Sequence, residues 1–176
     1  MTQPPQIVPD TKDWTWVLDA PCPECGFSAA QVDVEDLPAL VLGYVTRWEQ
    51  VLARPEVATR PSAQVWSPLE YACHVRDVFR VFEGRVRLML DQDSPTFDNW
   101  DQDATAVAER YGEQRPAAVA LELMSAGHAV AGTFAAVPDG AWDRTGLRSD
   151  GSTFTVASLG RYFVHDVAHH LHDVGA

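Results

Sequence analysis

From Asp33 to Arg54, apolar residues return at three- and four-residue steps: Leu37, Leu40, Val41, Tyr44, Val45, Trp48, Val51 and Leu52. That period belongs to an amphipathic α-helix, and so long a stripe must be buried against partners of its own kind. Pro55 helps to stop it. A second stripe (Tyr71, Val75, Val78, Phe79, Phe82, Val86, Met89) reaches Leu90 behind a clear start signal at Ser67-Pro68-Leu69-Glu70. Ser67 is a natural N-cap, Pro68 suits the first helical position, and Glu70 falls where a capping box places its acid. A third long helix is predicted from about Pro116 to Val137, ended by Pro138-Asp139-Gly140, and a last from about Ala157 to Val174.

The remaining segments are short. Trp14-Thr15-Trp16-Val17-Leu18 reads as a strand or an extended piece lying over the helices, and a short helix fits around Ala104 to Tyr111. Asp91 to Asp103 is a polar link. Asp143 to Ser152 is a polar, Gly-containing stretch, with Thr153-Phe154-Thr155-Val156 as the lead-in to the last helix. The prediction is an all-α protein: a four-helix bundle over 33–176, preceded over 1–32 by a short extended N-terminal segment.

The chain has 176 residues, enough for one ordinary domain with a sizeable core, and a net charge of −12. So acidic a surface is repelled by phosphate backbones and anionic lipid, which excludes nucleic acid and membrane as expected partners. The polar, Pro-rich stretch from Met1 to Lys12 lacks the features of a secretory signal, and no later apolar run is expected to span a bilayer. The expected compartment is the cytoplasm. Three cysteines, an odd number, argue against a disulfide framework.

Four of the six histidines lie at positions 165, 169, 170 and 172 of the last predicted helix. His165 and His169, four residues apart, project from one face, as a helix presents two imidazoles to one metal ion, and the same run also reads as core filling or a solvated polar face. They sit at the border of the apolar stripe (Val156, Leu159, Phe163, Val167, Val174), whereas His170 lies near its centre and His172 points to solvent. His74, midway along the second helix, is the natural third ligand, with Glu70 and Asp77 one turn away as acceptors for its outer nitrogen. Three protein ligands leave a position for water or substrate, a catalytic rather than a structural arrangement.

Trp66-Ser67-Pro68-Leu69-Glu70-Tyr71-Ala72-Cys73-His74-Val75-Arg76-Asp77 and His165-Asp166-Val167-Ala168-His169-His170 resemble the two motifs of the DinB-like metalloproteins. These include thiol-dependent transferases and mycothiol-dependent maleylpyruvate isomerases. The resemblance runs from about Asp36 to the C-terminus. It implies a DinB-like four-helix bundle whose divalent metal, zinc or nickel, is held by His74, His165 and His169. It also implies transfer of a low-molecular-weight thiol to an electrophile, these two small molecules being the expected partners, with a homodimer as an option. The isomerase branch uses Glu in place of one histidine, a departure that favours the transferase-like or uncharacterised branches. Two alternatives stand beside it: a metal-dependent hydrolase using water, and a non-catalytic, stress-associated bundle stabilised by its metal.

Cys22-Pro23-Glu24-Cys25-Gly26 has the C-x-x-C spacing of zinc knuckles and redox pairs. A pair of inert thiols, a local disulfide and a metal site all remain open, and the loop is expected to lie apart from the histidine cleft. His128 reads as a packed or surface residue. Arg76, Arg80 and Arg161 read as surface charges, and Trp66 and Trp100 as candidates to line a cleft.

Overall fold

The computed structural model describes residues 7–9 and 12–176, so part of the polar N-terminal stretch lies outside the described residues. Five α-helices form: α1 (Leu37–Leu52), α2 (Pro68–Asp91), α3 (Gln102–Ala108), α4 (Pro116–Ala135) and α5 (Val156–Asp173). All but the short α3 were expected as long helices, within a few residues at each end.

α2 begins as its sequence dictates. The Ser67 hydroxyl oxygen accepts from the Glu70 backbone N–H at 3.3 Å, and the Glu70 carboxylate accepts from the Ser67 N–H at 2.8 Å. α5 begins with a second such box, overlooked in the sequence because its partner is a serine. Thr155 Oγ1 accepts from the Ser158 N–H at 3.0 Å, and Ser158 Oγ accepts from the Thr155 N–H at 2.9 Å.

α4 packs along α1 and α2, and α5 closes the bundle against the same pair. Trp48, Phe79, Phe134 and Phe163 are fully buried where the four stripes meet. Phe163 of α5 stacks with Phe82 of α2 at 5.2 Å and with Phe134 of α4 at 5.7 Å between ring centroids. Gly127 permits the close approach of α4, since a Cβ there would stand 2.2 Å from Val45 Cγ2 of α1. α4 also corrects one expectation: by length and composition it could cross a membrane, although 44% of that window is buried in the bundle.

The all-α expectation holds for the bundle but missed a small sheet. β1 (Thr96–Phe97) pairs in parallel with β2 (Thr145–Arg148), which pairs antiparallel with β3 (Thr153–Thr155). β2 and β3 occupy the stretch read as a loop and a helix lead-in. Strands of two to four residues are too short to show alternation. The N-terminal piece expected as a strand or extended segment over the helices is a 3-10 turn, Thr15–Leu18, and with a second at Ala29–Gln31 it lies on α5.

Candidate metal centre

α5 carries two interleaved pairs at helical spacing, His165 with His169 and Asp166 with His170. Adjacent residues are rotated by about 100°, so the pairs face different neighbours.

Asp166 and His170 face α2. His74 is wholly buried, and neither of its ring nitrogens has a hydrogen-bond partner. Its Nε2 stands 3.5 Å from Asp166 Oδ1, beyond the usual N–H···O range, and Oδ1 is itself buried without a hydrogen bond. The rings of His74 and His170 lie 4.8 Å apart, nearly perpendicular. One donor atom each from His74, Asp166 and His170 lies within 4.8 Å of the others. The unsatisfied buried atoms of His74 and Asp166 are costly in a folded interior, and beside His170, whose Nδ1 pairs with Asp173 at 2.8 Å, they form a group that fits a cation. Aromatic rings fix the first of these ligands: Trp100 stacks on His74 at 5.4 Å and Trp66 lies 5.5 Å away.

Burial holds the His74 imidazole below its ordinary pKa, so at neutral pH it is in the uncharged, ligating form. Burial pushes the Asp166 carboxyl up, but the neighbouring His170 and His74 outweigh this and hold it at about 2. Glu70 and Asp77 do not serve His74 as expected. Glu70 is taken by Arg60 and Ser67, and Asp77 by Arg76 and by the Tyr111 hydroxyl at 2.6 Å.

The second pair faces the N-terminal segment. His165 and His169 are buried, 5.3 Å apart between centroids, and Trp14 packs on both. The three residues expected as one ligand set, His74, His165 and His169, thus fall into two groups, with His165 and His169 clustered with Cys22 and Cys25 instead of with His74. The expected separation of the C-x-x-C loop from the histidines is corrected: Cys22 Sγ lies 3.7 Å from His169 Nδ1. Cys73 is buried elsewhere, against Tyr111 and Gln114. Arg76 is buried too, contrary to its reading as a surface charge, and is paired with Asp77 and Glu122. His128 is exposed, bonded to Met124 O, and His172 is exposed as expected.

Asp166 and His170 line a cleft of about 690 Å³, as do His165 and His169, and His74 packs behind Asp166 and His170. Trp14, Trp66, Tyr71 and Trp100 form aromatic walls, and Asn99, Gln102, Asp103 and Ser152 are among its polar lining. Asp166 was missed as a site residue, although its spacing from His170 equals that of the expected pair.

The fold and this cluster define a helical-bundle protein with a group of histidine and carboxylate side chains of the kind that can hold a metal ion. Residues 44–174 match the DinB superfamily, and the chain belongs to that superfamily. Among solved structures it is similar to YfiT from Bacillus subtilis, described as "a probable metal-dependent hydrolase with an unusual four-helix bundle topology". The TM-score is 0.70 at 16% identity, over 79% of this chain and 82% of that one. No curated protein matches the chain.

Proposed function

We propose that this protein is a metal-dependent enzyme that transfers a small thiol to an electrophile, with its divalent ion on His74, Asp166 and His170. The observation carrying the reading is the buried His74, whose unpartnered nitrogens meet Asp166 and His170 at the floor of a wide, partly polar cleft. When bound, a divalent ion stabilises the anionic form of a thiol or a water, which supplies a nucleophile at neutral pH.

The chain's own residues do the rest. Trp100 and Trp66 hold the His74 ring in place, and Trp14 and Tyr71 exclude water from one side of the cleft. The polar side offers hydrogen bonds to a large, hydroxyl-rich thiol, and the volume lies within the usual range for small-molecule sites. Arg85, also on the cleft, forms no salt bridge among the described residues, the nearby Asp150 being paired with Arg148. It donates to Asp98 O at 2.8 Å and lies over Phe82 and Phe97, which leaves its charge for an anionic group of the substrate.

Hydrolysis is the second reading. Two imidazoles and one carboxylate are the donor combination of several hydrolytic zinc enzymes, and YfiT is described as a probable metal-dependent hydrolase. The test is to supply the metal-loaded protein with the host's major small thiol and chloro-dinitrobenzene, and separately with activated esters and amides. Thiol conjugation lost in His74→Ala supports the proposal. Metal-dependent cleavage of esters or amides without conjugation selects hydrolysis, and neither activity overturns both.

A further inference from the structure

The second cluster on α5 has the composition of a closed metal site. Cys22, Cys25, His165 and His169 each place one donor atom so that all four lie within 4.8 Å of one another. They come from a loop and a helix 147 residues apart at the Cys22–His169 contact, so local helix geometry does not account for their meeting. With zinc–sulfur bonds of about 2.3 Å and zinc–nitrogen bonds of about 2.0–2.1 Å, two ligands of a tetrahedral ion stand about 3.3–3.8 Å apart. The 3.7 Å between Cys22 Sγ and His169 Nδ1 already falls in that range.

The surroundings suit such an ion. Cys22, His165 and His169 are buried, and His165 Nε2 has no hydrogen-bond partner. While Nδ1 of His169 faces the sulfur, its Nε2 faces the carboxylates of Glu24 at 3.6 Å and Asp173 at 3.7 Å. A ligating imidazole is oriented in this way by acceptors on its far nitrogen. The loop is shaped to turn both thiols one way: the Cys22 N–H donates to Phe27 O at 2.8 Å and the Gly26 N–H to Cys22 O at 2.9 Å. Gly26 takes φ +76°, which a residue with a Cβ rarely adopts.

We infer that Cys22, Cys25, His165 and His169 bind a second divalent ion, best suited to zinc, in a four-ligand structural site separate from the cleft centre. With all four positions filled by protein, it offers none to a substrate. Its effect is to fasten residues 12–32 to α5, and with them Trp14, which packs on both histidines and forms a wall of the cleft.

The test uses the full chain, purified under reducing conditions, with metal counted by mass spectrometry and cobalt as the spectroscopic probe. Cobalt-loaded wild type should show a sulfur-to-cobalt charge-transfer band without added thiol, and the band should persist in His74→Ala. Cys22→Ser/Cys25→Ser should lose the band and one equivalent of tightly held zinc, whereas Cys25→His, which keeps a ligand, should retain the zinc. Should the double variant not fold, the wild-type and His74→Ala spectra still decide the matter. Cobalt binding with no sulfur band, or an unchanged zinc count in the folded double variant, overturns the inference. Loss of metal in His74→Ala alone bears only on the cleft centre.

Discussion

The indole of Trp100 lies on the imidazole of His74 with centroids 5.4 Å apart and planes within 5° of parallel. His74 has no hydrogen bond to orient it, so the neighbouring rings set its direction. Trp100→Ala should leave the bundle folded but weaken metal retention in the cleft by about tenfold, the low end for loss of a group that orients a ligand. Chelator competition followed by metal analysis measures this. Unchanged affinity would mean that the stack does not position the ring.

The grouping of donors predicts which substitutions empty the cleft. His74→Ala, Asp166→Asn and His170→Ala should each release the ion held there, while His128→Ala and His172→Ala, at exposed positions, should keep the full complement. Retention of all metal by His170→Ala would return the third ligand to the His165/His169 pair.

Arg85 gives a kinetic prediction. Arg85→Met should raise KM for an anionic substrate with a smaller change in kcat, since the guanidinium would bind the substrate equally before and during reaction. Equal loss in kcat and kcat/KM would place the residue in the reacting step instead.

The packing of α4 predicts a coupled pair. Gly127→Ala introduces a Cβ 2.2 Å from Val45 Cγ2 and 3.1 Å from Phe79 Cε2, and overpacking of this kind costs about 1–3 kcal/mol. Chemical denaturation should show that loss, and Val45→Ala in the same chain should recover part of it. Additive losses in the double variant would show that the clash lies elsewhere.

Acid should act through Glu70. Burial raises its carboxyl, but the hydrogen bonds from Arg60 and Ser67 outweigh this and hold it below the ordinary 4.5. A depressed folded pKa adds stability above the unfolded value, lost as pH falls through the folded one. The melting temperature of wild type should therefore exceed that of Glu70→Gln at pH 6, and the gap should narrow below about pH 4.5. A gap independent of pH would assign the difference to packing.

The bundle was legible in the sequence because its helices are long and their apolar residues periodic; the Ser67 to Glu70 box marks one boundary to the residue. The sheet was not, since nothing in Thr145–Arg148 or Thr153–Thr155 alternates for long enough. The candidate site was half legible. His74 and the histidine-rich α5 stood out, but a helical wheel shows only angles on one helix. His170, placed near the centre of the apolar stripe, looked like packing, yet that side faces α2 and its buried His74. Nor does spacing along the chain reveal that the Cys22 loop folds back over α5.

The interleaving on α5 also has a consequence for helical register. One residue inserted ahead of His165 would advance the following segment by about 100°, putting His165 where Asp166 stands and His169 where His170 stands. The cleft would then present three imidazoles, and the cysteine loop would lose both of its nitrogen partners. A single codon thus separates this arrangement from a tris-histidine centre, and sequences that differ in length just before this motif should be compared by facing position rather than by letter.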